Sequence, residues 1–231
     1  MKTMVSVSSP RQLALALEHR ESYAREDFLE GSSNKAALAL VSRWPDWPHR
    51  IFVLVGPEGS GKTHLAAIWA AEAGARFVAA RALDHTDLPA ALATGALVVE
   101  DVAENSIEER ALFHLINLAR EEGAYVLLTA RKTPAAWTIA IRDLASRLRA
   151  LPVVALAPPD DALLRAVIVK LCADRQLAID ETVLSYLMTR IDRSFAAARR
   201  AIEWLDREAL RQQRPVTRAL AAELFRAQRQ P

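Results

Sequence analysis

Apolar positions along the chain follow two regimes. Through residue 156, short apolar runs at 51–55, 76–80, 96–99, 125–129 and 153–156 read as strands, and helical spacing at 34–43, 63–73 and 106–122 fills the intervals. Runs this continuous, with no polar alternation, predict strands buried on both faces. The expected fold class is therefore α/β, a parallel sheet with helices on both sides. Past Pro158 and Pro159 the strand pattern stops. Helical patterns alone remain, at 160–175, 180–190, 194–213 and 216–228, and predict a small all-α lid joined to the sheet by a proline hinge. The expected division is an arm at 1–24, an α/β unit at 25–157 and a helical unit at 158–231. Residues 1–10 are small and polar and suit a flexible arm. Leu13, Leu15 and Leu17 then share one face of an extended stretch headed by Gln12. That stretch fits either an edge strand of its own domain or a peptide laid into a groove on another protein. The two tryptophans of 44–48, WPDWP, end a helix and fit closing the core edge better than forming a partner surface.

The strand at 51–55 runs directly into GPEGSGKTH, residues Gly56, Pro57, Glu58, Gly59, Ser60, Gly61, Lys62, Thr63 and His64. Gly56, Gly61, Lys62 and Thr63 complete the pattern G-x-x-x-x-G-K-[ST] between a strand and a helix, the context that gives this motif its meaning. Glycines permit a turn tight enough for main-chain N–H groups to converge on phosphate oxygens, beside the positive end of a helix dipole. Lys62 supplies charge for the outer phosphates and Thr63 a hydroxyl for Mg²⁺. The expected cofactor is ATP or ADP with Mg²⁺. In a parallel sheet the ligand lies at the carboxyl ends of strands, where two further features fall. Glu100 and Asp101 follow the 96–99 run, one suited to hold Mg²⁺ and the other to orient an attacking water. Thr129 and Arg131 close the 125–129 run, a hydroxyl and a cation able to sense an outer phosphate.

Composition removes several classes. The 231 residues are 52% apolar and 25% charged with a formal net charge of +2, so no acid- or base-rich surface argues for coating DNA. A single cysteine, Cys172, excludes an internal disulfide, and no stretch reads as a signal peptide or a membrane span. A cytoplasmic protein is the expectation.

In chain order, FLEGSSN (28–34), GPEGSGKTHL (56–65), LVVED (97–101), LLTARKTP (127–134), LASRL (144–148) and LAPPDDALLRAVI (156–168) together resemble the AAA+ module of the bacterial replication initiator DnaA, over about residues 27–224. With the QLALAL peptide and no helix-turn-helix domain following, the chain resembles the Hda/HdaA family, regulators that inactivate the initiator. That resemblance implies binding of the DNA polymerase sliding clamp through Gln12, Leu13, Leu15 and Leu17. It implies that Arg147 is an arginine finger acting on ATP held by DnaA, and it implies no sequence-specific DNA reading. Self-association is left open, and no membrane partner is expected. Two positions depart from the initiator pattern. Arg131 stands where the initiator has an aspartate, and Ala197 falls at the sensor-arginine position, with Arg199 and Arg200 just behind as alternatives. Both departures weaken the expectation of ATPase activity by this chain itself. A helicase loader of the same fold is the alternative reading, and a P-loop small-molecule kinase a remoter one.

Overall fold

A computed structural model describes residues 23–103 and 107–227. The arm with Gln12, Leu13, Leu15 and Leu17 lies outside the described residues, as do the first position of the 106–122 helix and the last of the 216–228 helix. Five strands, β1 (Ile51–Val55), β2 (Arg76–Ala79), β3 (Ala96–Val102), β4 (Tyr125–Ala130) and β5 (Val153–Ala155), form one parallel sheet in the order β2-β3-β4-β1-β5. β1, which feeds the glycine-rich turn, sits between β4 and β5, so that turn opens at the carboxyl edge with neighbours on both sides.

Successive residues of β1 divide between the two faces, as strand geometry requires. Ile51, Val53 and Val55 join one core with α3 (Leu88–Leu92), α4 (Glu109–Glu121) and α5 (Arg142–Arg149). Phe52 and Leu54 join another with α1 (Lys35–Val41) and α2 (Lys62–Ala73). The expected parallel sheet with helices on both faces is therefore what forms. Helices α6 (Asp161–Asp174), α7 (Glu181–Met188), α8 (Phe195–Gln212) and α9 (Arg218–Ala227) enclose a separate core of Leu164, Ile168, Leu187, Ile202, Leu205 and Leu220. Asp160, Asp180 and Ser194 start α6, α7 and α8 by accepting main-chain N–H bonds from Leu163, Val183 and Ala197.

Several elements differ from the expected ones. β3 continues to Val102 rather than ending at 99, because a bulge lets pairing resume. Val99 faces Leu128 and Val102 faces Ala130, so Glu100 and Asp101 share the space of Thr129, with Asp101 at φ 56°. Val102 then returns to the core, 1% exposed. The helix expected from 106 starts at Glu109, where the Glu108 carboxylate accepts the Ala111 N–H at 2.6 Å. Asn34 does not cap α1 with its side chain. It turns back instead, its Oδ1 accepting from Gly31 N–H at 2.8 Å and its Nδ2 donating to the Leu29 carbonyl at 2.9 Å, and so fixes the 28–34 turn. β2 ends at Ala79, one residue short of the expected run, because Ala80 opens a 3-10 segment at Ala80–His85; the rest of that segment and α3 lie where no element was expected, both too short to show a period. Trp47 is buried and stacks on Trp69 at 4.8 Å, closing the core edge.

Leu127 on central β4 is fully buried, whereas Leu210 on α8 is 60% exposed. Leu127→Ala is expected to lower the unfolding free energy by about 2–5 kcal/mol, through lost contacts and the cavity left behind. Leu210→Ala should change it by less than about 0.5 kcal/mol, and urea titration of both variants checks the contrast.

Candidate functional site

The turn between β1 and α2 needs glycine at two left-handed positions, Gly59 (φ 70°) and Gly61 (φ 95°). Gly61, at the start of α2, has no side chain to cap its first turn, which leaves its N–H groups facing the loop. Ser60 is buried, and its Oγ has no hydrogen-bond partner among the described residues. Lys62 reaches back along the loop, its Nζ donating to the carbonyls of Gly56 and Pro57 at 2.8 Å each. Burial holds the Lys62 ammonium below the ordinary lysine value; Asp101 is the strongest influence in the other direction. An uncapped helix start, an unpartnered hydroxyl and a poorly solvated cation are together what a phosphate chain satisfies.

At the carboxyl edge the acidic pair is placed by the β3 bulge. The Asp101 N–H donates to Thr129 Oγ1 at 3.1 Å, so the buried Thr129 hydroxyl anchors the bulge from the neighbouring strand. Glu100 and Asp101 both act electrostatically on Lys62, which brings the pair into the field of the loop. Arg131, one residue beyond β4, forms an ion pair at 3.0 Å with Glu58 of the glycine-rich turn. Both partners are well exposed, so the pair contributes little stability, though Arg131 lowers and Glu58 raises the proton affinity of Lys62.

Beside the turn lies a cavity of about 310 Å³ between the sheet domain and the helical bundle. Gly59, Gly61, Thr63 and His64 form its floor. Phe28, Leu29 and Asn34 form one wall, and Lys170, Leu171, Phe195 and Arg199 of α6 and α8 form the other. Its size and apolar lining suit the nucleoside part of a nucleotide. The walls are fastened directly: the Phe195 N–H donates to the Gly59 carbonyl at 2.9 Å, and Lys170 bridges Asp27 at 2.7 Å and Asp174 at 2.8 Å. His64 Nε2 lies 3.0 Å from the Ala24 carbonyl, and its ring meets Tyr23 and Phe28 edge-on. Burial holds the His64 ring below its ordinary value near 6.5, so the neutral form is the one built in.

The two candidate lid arginines separate. Arg199 lines the cavity, while Arg200 is exposed and does not, and Ala197 is buried. Arg147 is not among the cavity residues. It sits on α5, with Nε and Nη2 each 3.0 Å from Asp143, Nη1 donating to Asn117 Oδ1 at 2.7 Å and its guanidinium 5.1 Å over the Phe113 ring. Phe28, Asn34, Lys170, Leu171 and Phe195, and the cradle of Asn117 and Asp143, were not singled out from sequence. Only the FLEGSSN run carried any signal for them.

No family model matches the sequence. Among solved structures, the chain is similar to domain III of the replication initiation protein DnaA from Thermotoga maritima (TM-score 0.75, 20% identity), covering 90% of this chain and 98% of that one. The fold is that of an AAA+ module. AMPPCP-bound DnaA from Aquifex aeolicus also superposes (TM-score 0.64, 20% identity), over 79% of this chain and 64% of that one. So does the RuvB Holliday junction branch migration motor of Thermotoga maritima (TM-score 0.70, 16% identity), over 89% and 72%. At this identity the superposition shows the fold alone, shared with the DnaA and RuvB modules. Among the described residues no helix is long and apolar enough to cross a membrane.

Two outcomes follow from this geometry. A methyl group on Gly59 would lie 2.7 Å from Ala196 Cβ and 2.9 Å from its nitrogen, at a φ that disfavours any side chain. Gly59→Ala should push α8 off the loop and weaken nucleotide binding, read by calorimetric titration with ADP. For His64, the unfolded chain takes up a proton first as the pH falls below about 6.5, so stability is retained above that pH and declines beneath it. His64→Gln should remove that part of the decline, seen by comparing urea midpoints at about pH 7.5 and about pH 5.5 in the two proteins.

Proposed function

We propose that this chain is a nucleotide-binding AAA+ regulator of chromosome replication initiation that promotes hydrolysis of ATP held by DnaA. In this reading Gly56 to Thr63 cradle the phosphates of ATP or ADP, with Lys62 on the outer ones, and Phe28, His64 and Arg199 enclose the remainder. Mg²⁺ falls to Thr63 and Glu100, and Asp101 orients the attacking water. The helical unit from 158 onward acts as a lid, the unit at 25–157 holds the nucleotide, and the arm at 1–24 carries a clamp-binding peptide. The sliding clamp on DNA would take Gln12, Leu13, Leu15 and Leu17, bringing the module to where newly loaded initiator must be switched off.

The observation that supports a role in trans is the position of Arg147. Its guanidinium lies apart from its own chain's cavity, on the sheet face that carries α4 and α5 rather than the one that carries α2. There Asp143, Asn117 and Phe113 hold its planar fork in one orientation, which lowers the entropy lost when it engages a second anion. Set against a partner's nucleotide, such a group stabilises charge developing on a transferring phosphoryl group. The chain's own ATPase is weak in this reading, because Arg131 occupies an outer-phosphate position and is paired to Glu58.

The decisive measurement is the rate of ATP hydrolysis by purified DnaA with clamp loaded on DNA, with and without this protein. A clamp-dependent acceleration is expected. Arg147→Ala should remove it, by up to about 10³-fold if the arginine acts as fingers do in other phosphoryl-transfer systems, while clamp binding persists. Lys62→Ala should abolish nucleotide binding by the chain. Retained acceleration in Arg147→Ala would dismiss the finger. Absence of any acceleration, with nucleotide still bound, would favour a helicase-loading role.

A further inference from the structure

Remote from the P-loop, α7 and α9 border a groove of about 480 Å³ lined by Tyr186, Arg190, Arg218, Phe225 and Arg226. Elsewhere in α6–α9 and their connections, Arg165, Arg175, Arg193, Arg211 and Arg214 each hold a carboxylate at 3.2 Å or less. In the groove, none of the three arginines has a carboxylate at ion-pair distance among the described residues. Two of them share one ring: the Arg190 guanidinium carbon lies 5.3 Å and that of Arg218 6.0 Å from the Tyr186 centroid. Arg226 is steadied by donating Nε–H to the Ala222 carbonyl at 3.1 Å. Phe225 meets Tyr186 edge-on at 6.0 Å and is held from behind by Trp204 at 5.2 Å. The Tyr186 hydroxyl has no hydrogen-bond partner among the described residues.

Like charges gathered on one ring repel, and a polyvalent anion between them removes that cost. We propose that this groove is a second anion site that takes the phosphate of a nucleotide unit, independently of the P-loop. Three positive charges match a phosphate dianion, or successive phosphodiesters, better than a single carboxylate. The groove also exceeds the volume of one oxyanion and has aromatic walls, so a sugar or base fits beside the phosphate. Guanidinium planes and rings together are the surfaces on which bases stack without sequence preference. A formal net charge of +2 hides the site, because positive charge here is local.

The test uses the full chain and a fluorescent oligothymidylate of about ten nucleotides, followed by anisotropy between about 50 and about 200 mM salt. The wild-type chain is expected to bind it, and Lys62→Ala to bind equally well. The double variant Arg190→Gln/Arg218→Gln should lose most of the affinity and flatten the salt slope by about 1.4, at about 0.7 for each phosphate contact on a single strand. Both positions are exposed, so the fold should persist, and unchanged ADP binding at the P-loop confirms it. Competition by free ADP in the Lys62→Ala chain would assign the phosphate to free nucleotide, whereas failure to compete would assign it to a strand. No binding, binding indifferent to the two arginines, or equal arginine-dependent binding of polyglutamate would each overturn the proposal, the last by making the groove an acidic-peptide site.

Discussion

Between Gly59 and Ala196 there is no room for a methyl group, and that approach organises the molecule. It exists because Gly59 adopts a left-handed backbone and because α8 begins at Ser194, which spends its hydroxyl on the Ala197 N–H. The Phe195 N–H is thereby free to meet the Gly59 carbonyl. One glycine thus couples the glycine-rich turn to a helical bundle that has its own core. The cavity is what remains between the two bodies once that contact and the Lys170 bridge to Asp27 and Asp174 are made.

Charge in the site is arranged to be answered by a ligand. Lys62 is poorly solvated and leans on two main-chain carbonyls, while the acidic pair is held forward by a bulge whose positive φ at Asp101 is costly for a residue other than glycine. Thr129 stabilises that bulge through a single hydrogen bond from a buried position. Arg131 and Glu58 form an exposed pair across the loop. Exposed pairs are weakly held, so this one is easily opened by a competing anion. The groups around the loop thus have main-chain carbonyls or an exposed counter-charge as their present partners.

Two further arginine environments show how context divides one residue type. Arg147 is committed in direction by Asp143, Asn117 and an aromatic face. Arg190 and Arg218 are stacked but carry no counter-charge among the described residues. Neither arrangement strengthens the fold appreciably, since ion pairs and stacking at this exposure contribute little.

The glycine-rich turn was legible in the sequence because its chemistry is local: the residues that shape it are adjacent, and a strand and a helix must flank them. The three central strands were legible for a similar reason, as buried runs with no polar alternation, whereas the edge strands β2 and β5, expected to be buried on both faces, leave Phe77 43% and Val153 40% exposed because each has a neighbour on one side only. The bulge at Glu100 and Asp101 was not, because it depends on how β4 registers against β3, which neither segment carries alone. The backward bonds of Asn34 to Gly31 and Leu29 were not legible either, because they arise from the turn on which α6 packs. Arg199 and Arg200 are equivalent in sequence, and only the rotation of α8 on Gly59 turned one of them to the cavity and the other to solvent. The sequence by itself determined which segments fold and where phosphate chemistry is possible, because those follow from residue type and short-range spacing. Tertiary structure alone decided which distant side chains enclose the site, because that depends on the packing of elements more than a hundred residues apart.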